Sequence, residues 1–252
     1  ISHNHIYRCG GRGGVWLDWM TQGTRMTGNL LHDNRGQDLF VEVNHGPFLV
    51  DNNLFLSRNS LLEASGGGAY AHNLFHGQIK LWPQKKRETP YHRPHSTEIL
   101  GISKIVGDDV RFHNNVFAGS EALSVYDASA TEHLQAAGNL YLAGGKPSRK
   151  DANERIDEDF DLGLNLSRDE EGWWLKQSIN PAWVSKSNRE TVTTETLGRA
   201  KLPDAAFVQP DGTPYRLDTD YLGETRPADN PAPGPFRLAN KKQIYLKVWP
   251  KD

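Results

Sequence analysis

The sequence predicts an all-β protein wound as a parallel β-helix, and three observations carry the prediction. The first is a marker: Asn, one residue, then an apolar residue. It occurs at Asn4, Asn29, Asn53, Asn73, Asn115 and Asn139, at steps of 25, 24, 20, 42 and 24 residues. A fixed period in this range signals stacked repeats. The second is a pair of matching strings 24 residues apart, Val15-Trp16-Leu17-Asp18-Trp19 and Leu39-Phe40-Val41-Glu42-Val43. The third is the texture of each repeat: short apolar runs between Gly and Asn turns, with no long helical stripe.

Taken in order, the chain opens at Ile1-Ser2-His3-Asn4-His5-Ile6, inside a repeat and without a Met or a cap. Stacked repeats need capped ends, so earlier coils, and any signal peptide, are expected upstream in a longer protein. Gly10, Gly11, Gly13 and Gly14 read as a flexible corner, since no Gly-Lys-Ser/Thr follows them as in a nucleotide loop. The marker asparagines suit corners because Asn tolerates the left-handed backbone region, and stacked Asn side chains can hydrogen-bond from coil to coil.

Aligning the two strings puts Val15 with Leu39, Leu17 with Val41 and Trp19 with Val43 on the inward face. Trp16, Phe40, Asp18 and Glu42 then face outward. If 24 residues make one turn, Asp18 and Glu42 lie on neighbouring parallel strands, about 4.8 Å apart. Retaining glycosidases hold two carboxyl groups roughly 5–5.5 Å apart. Glu63, in Leu62-Glu63-Ala64, follows Glu42 by 21 residues and joins the same outward column if its corner is shorter. Three acids on one face raise a pKa by repulsion, as a general acid needs; the alternative is a solvated acidic column. Trp16 faces outward as a platform for a sugar ring, whereas Trp19 reads as core. Asp38, Asn44 and His45 bracket Glu42 and offer hydrogen bonds to substrate.

The 42-residue step reads as one coil plus an insertion over residues 78–110, with Pro83, Pro90, Pro94 and the basic run Lys85-Lys86-Arg87. His92 and His95 lie three apart within it. Prolines rule out a helix and no Cys or carboxylate stands at ligand spacing, so no metal is expected. This segment is either a loop folded over the outward column, bringing His92 or His95 to substrate hydroxyls, or plain surface.

From about Lys146 the marker stops. Residues 150–172 are rich in Asp and Glu, seven prolines fall within 203–236, and Gln243–Trp249 alternates like a strand. Residues 1–145 are therefore expected to be coils carrying the carboxylates. Residues 146–252 are expected to form a Pro-rich irregular or β extension that caps the coils or packs along them.

Composition narrows the classes. A net charge of −2 gives no general pull toward nucleic acid or membrane, and no apolar run is long enough to span a bilayer. Cys9 is the single cysteine, so no internal disulfide forms. Cytoplasm, periplasm and secretion all stay open. An exposed aromatic ridge could assemble homo-oligomers, although no interface is legible.

The strings Val15 through Arg25 and Asp38 through Pro47 resemble the β-xylosidases of glycoside hydrolase family 120. So do Thr89-Pro90-Tyr91-His92, His95-Ser96-Thr97, Gly107-Asp108-Asp109, Asp211-Gly212-Thr213-Pro214 and Pro233-Gly234-Pro235-Phe236. The resemblance implies a right-handed parallel β-helix with an associated β-sandwich. It implies retaining hydrolysis of β-1,4-linked xylo-oligosaccharides from the non-reducing end, without a cofactor. The family's nucleophile maps onto Asp18 and its acid/base onto Glu42. Family members carry further coils and a sandwich before this point, which supply part of the pocket. Three rivals remain. One is an enzyme acting on another pentoside or deoxysugar. Another is a pectate-lyase-like or polygalacturonase-like enzyme, disfavoured by the lack of an obvious Lys or Arg in the column. The third is a non-catalytic carbohydrate-binding β-helix.

Overall fold

The marker asparagines stand in one ladder. Oδ1 of Asn29 accepts from the backbone N–H of Asn4 at 2.8 Å, and Oδ1 of Asn53 accepts from that of Asn29 at 2.9 Å. The pattern continues through Asn73, Asn115 and Asn139, and Asn139 ends it by donating to Asp151 at 2.9 Å. The left-handed corner residue is the one before each ladder Asn: His3, Gly28, Asn52, His72, Asn114 and Gly138 all have positive φ. The ladder side chains themselves supply the hydrogen bonds.

A computed structural model describes residues 1–119, 121–128, 133–185, 187–238 and 242–251. Short strands on either side of these corners pair in parallel with the strand one repeat later. They form separate sheets of seven, six and four strands. The four-stranded sheet contains Gly13–Leu17, Gln37–Glu42, Asn59–Ala64 and Gln78–Leu81. Its register pairs Val15 with Leu39, Trp16 with Phe40 and Leu17 with Val41.

The expected all-β right-handed parallel β-helix with an irregular tail is corrected by this arrangement. The strands fall into several separate parallel sheets, joined by antiparallel sheets and by two short α-helices, Ala182–Ser185 and Thr194–Leu197. The departures lie where the repeat stops. The insertion folds back on itself, pairing Glu88–His92 antiparallel with Ile99–Lys104. The tail pairs Asn165–Arg168, Trp173–Ser178 and Gln243–Trp249 in an antiparallel sheet. Thr193 starts the second helix as a capping box, accepting from the N–H of Thr196. A repeat spacing reports which strands are neighbours; it is silent about segments that do not repeat.

Among the described residues, three apolar clusters hold these layers together. The largest joins inward residues of all three parallel sheets, among them Leu17, Val41, Leu61, Met26, Tyr70, Phe75 and Phe112. The other faces of two sheets are covered by the tail. Leu30, Leu54, Leu74 and Leu140 of the seven-stranded sheet pack with Leu175, Trp183, Tyr221 and Val248. Leu49, Ala69 and Ala71 of the six-stranded sheet pack with Val192, Leu197 and Phe207. Among the described residues, no such tail cluster covers the outer face of the four-stranded sheet, and that face carries Trp16, Phe40 and Glu42. No helix among the described residues is long and apolar enough to cross a membrane.

Candidate active site

Side chains alternate across a strand, so with Leu17 and Val41 in the core, Trp16, Phe40 and Glu42 face outward. Phe40 is fully buried beneath two indoles: its ring lies 5.3 Å from Trp16 and 6.0 Å from Trp82. Trp16 and Trp82 remain 46% and 41% exposed and present flat apolar surface. The Arg12 guanidinium lies 5.8 Å from the Trp16 ring and 5.6 Å from the Trp82 ring.

Glu42 ends its strand and is buried. Its Oε2 accepts from Trp16 Nε1 at 3.1 Å, and its Oε1 accepts from Arg87 at 2.9 Å. The strand opposite ends at Leu17, paired with Val41, so Asp18 and Glu42 are each the next residue after this last pair. Asp18 is exposed, and its Oδ1 accepts from the N–H of Trp19 at 2.8 Å. Val43, next after Glu42, is buried with φ of 50°. A β-branched residue in the left-handed region costs about 1–3 kcal/mol and persists only where its surroundings hold it.

Two sequence expectations are corrected here. Trp19 was expected in the core but is 54% exposed. Its strand stops at Leu17, so the alternation ends before reaching it. Glu63 was expected beside Glu42 in the outward column; instead it pairs with Val41, and Ala64 pairs with Glu42. A shift of one residue moves a side chain to the opposite face. Glu63 is accordingly buried, accepting from the Tyr70 hydroxyl and from the N–H of Ser65 at 2.9 Å. Burial pushes its carboxyl up to about 7.

The other expected binding residues occupy varied places. Asp38 is buried near the start of the Gln37–Glu42 strand, where Asn34 donates to one oxygen at 2.8 Å and the N–H of Ser57 to the other at 2.9 Å; burial pushes it up to about 7. Asn44 is buried and bonded to the strand before it. His45 Nε2 lies 3.0 Å from the carbonyl of Thr89 and 3.2 Å from that of Ser103. Carbonyls only accept, so Nε2 carries the proton and ties the inserted hairpin down; burial pulls the imidazole below its ordinary pKa.

His92 and His95 line a cavity of about 590 Å³ together with Met20, Gln22, Arg93 and Val208. Met20 and Gln22 belong to the segment just after Asp18. Gln22 exchanges two hydrogen bonds with the backbone of His92, at 2.8 and 3.0 Å. The hairpin is thereby fastened both to the Asp18 turn and to the corner after Glu42.

Sequence reasoning missed Arg87, Arg12, Trp82 and Gln22. Trp82 had a signal, since extending the strand alignment through Leu81 reaches it. Arg87 stood in the basic run of the insertion, 45 residues from Glu42, and no local pattern links the two. The assembled face offers aromatic platforms, a buried carboxylate held by an indole and a guanidinium, and a second, exposed carboxylate one rung away. Such a set can bind a sugar ring and act on the bond beside it.

No protein-family model matches the chain, and no curated protein matches it. A solved structure described as the complex structure of XylC with xylose does match. The two are 33% identical with a TM-score of 0.88, over 98% of this chain and 42% of that one. The chain thus spans less than half the length of that protein and shares the fold of the part it matches.

Proposed function

We propose that this chain carries the catalytic face of a retaining β-xylosidase of glycoside hydrolase family 120, releasing xylose from the non-reducing end of β-1,4-xylo-oligosaccharides. The observation that carries the reading is the parallel register of Leu17 with Val41, which brings Asp18 and Glu42 onto adjacent rungs beside an exposed indole. Adjacent rungs are about 4.8 Å apart, close to the roughly 5–5.5 Å of retaining enzymes. The likeness to XylC, described in complex with xylose, supports a pentose as the sugar.

In the first step the Asp18 carboxylate attacks the anomeric carbon while protonated Glu42 gives its proton to the departing glycosidic oxygen. The leaving alcohol departs and a glycosyl ester on Asp18 remains. In the second step the Glu42 carboxylate takes a proton from water, whose oxygen attacks the same carbon. Xylose leaves with its configuration retained, and the Asp18 carboxylate and the Glu42 proton are restored. Trp16 stacks on the sugar and its N–H holds Glu42 in place. Arg87 pairs with Glu42 whenever it is ionised, as it is at the start of the second step.

The test is covalent capture by a 2-deoxy-2-fluoro-β-xylosyl donor, read by intact mass and peptide mapping on the full-length protein. A label on Asp18 supports retaining chemistry, the sugar class and the nucleophile together; a label elsewhere, or none, rejects the assignment. One observation favours a second reading. Arg87 beside Glu42 supplies the basic residue that a lyase of the pectate-lyase kind uses as proton acceptor. Loss of activity in EDTA, with unsaturated products, would select that reading.

A further inference from the structure

We infer that Asn44 is the positioning residue that sets the separation of the two carboxylates. The inference rests on the reading that Asp18 and Glu42 form the catalytic pair.

The ladder that aligns the two strands ends at Leu17 and Val41. Asp18 is therefore the first residue past the point where backbone pairing fixes the distance between rungs. The Asn44 side chain takes over there. Its Nδ2 donates to the carbonyl of Leu17 at 3.2 Å and to the carbonyl of Glu42 at 3.1 Å, and its Oδ1 accepts from the N–H of Thr21 at 2.6 Å. One carboxamide thus holds the Asp18 turn at both ends and ties it to the backbone of Glu42 itself.

The rest of the residue is anchored from the other side. Its backbone N–H donates to Ser65 Oγ at 3.0 Å, and its carbonyl accepts from the N–H of Gly66 at 3.0 Å. The left-handed Val43 turns the chain so that the amide reaches back across the rung. Asn44 is fully buried, and a carboxamide has two N–H donors and one carbonyl acceptor. Both donors and one lone pair of the oxygen are engaged within the protein, and the side chain is closed off from solvent, so it is not presented to a sugar hydroxyl. The sequence placed Asn44 among substrate contacts; the geometry points to a clamp.

Without the clamp the Asp18 turn loses this tie to the backbone of Glu42, and a misplacement of about 1 Å costs roughly 100-fold in rate. The experiment compares capture of the 2-deoxy-2-fluoro-β-xylosyl donor by wild type, Asn44→Ala and Asn53→Ala in the full-length protein. Asn53→Ala removes a ladder amide away from the carboxylates and serves as the control for a loss of stability alone. We expect the maximal capture rate of Asn44→Ala to fall by about 100-fold, with the donor's inhibition constant within about threefold of wild type and label still on Asp18. Asn53→Ala captures at the wild-type rate.

If Asn44→Ala does not fold, Ser65→Ala loosens the same clamp through the Asn44 backbone and should slow capture by about tenfold, since it removes only the anchor behind the amide. Capture by the Asn44 or Ser65 variant within about threefold of wild type overturns the inference, as does a change confined to the inhibition constant. Wild type without label on Asp18 overturns the catalytic reading, and the inference with it.

Discussion

Glu63 stands opposite Val41 on the neighbouring parallel strand, and its carboxylate is therefore inside the protein. The step between these strands is 22 residues, as in the pairing of Leu39 with Leu61. A residue 21 after Glu42 falls one place short of the outward column and lands on the inward face. The result is one carboxyl turned inward and held by Tyr70, and one on the outward face held by Trp16 and Arg87.

The contribution of two buried carboxyls to stability should fall as pH rises from about 4 to about 7, opposite in sign to that of histidines such as His113, which burial lowers to about 4. Burial raises Glu63 from 4.5 to about 7 and Asp38 from 3.8 to about 7. Between those limits the folded chain holds protons that the unfolded chain has lost. The contribution is full below the ordinary carboxylate values and is lost as pH rises through about 7. Glu63→Gln removes a negative contribution, so the slope of unfolding free energy against pH in this window should become more positive than that of wild type, measured by urea titration. A slope equal to that of wild type would show that Glu63 does not titrate there.

Asp18→Ala and Glu42→Ala should each lower kcat by roughly three orders of magnitude or more, since one removes the nucleophile and the other the acid/base. With an activated aryl xyloside, azide should restore turnover to Glu42→Ala and give the β-azide. An α-azide would reverse the roles, and near wild-type turnover in either variant would remove the pair.

Trp16→Phe keeps a ring over Phe40 but loses the N–H held by Glu42. A hydrogen bond to a charged group is worth about 1.5–3 kcal/mol, so kcat should fall by about 10- to 100-fold while KM moves less. Trp16→Ala removes the platform as well and should raise KM. Steady-state kinetics on xylobiose separates the two; equal effects on KM would assign Trp16 to binding alone.

The ladder amides should be costly to remove. Asn53 Oδ1 accepts two bonds from Asn29, and its Nδ2 donates to the carbonyls of Met26 and Asp51, all in the interior. Asn53→Ala takes these bonds away: the backbone N–H of Asn29 loses Asn53 Oδ1, whereas Asn29 Nδ2 keeps the carbonyls of Ile1 and Thr27 and the Asp51 carbonyl keeps the N–H of Gly28; each group left unpaired costs about 1–3 kcal/mol before relaxation. A fall in melting temperature of roughly 5–15 °C is expected. A change within about 2 °C would mean the ladder is not under load.

By itself the sequence determined which strands are neighbours. The 24-residue echo of Trp16 in Phe40 and of Leu17 in Val41 is the observed register, because a backbone ladder repeats the same inward and outward choice on every rung. The asparagine marker likewise specified a ladder, since each amide meets the next at one corner. Tertiary structure alone decided what does not repeat. A one-residue difference in corner length turned Glu63 inward. The strand end at Leu17 left Trp19 outside and handed the Asp18 turn to Asn44. Arg87 reached Glu42 from an inserted hairpin that His45 and Gln22 fasten down. These contacts join residues of different rungs and loops, and no local pattern of polarity records them. The fold class departed from its expectation for the same reason: periodicity describes the repeated strands, whereas the antiparallel sheets and short helices come from segments that pack without repeating.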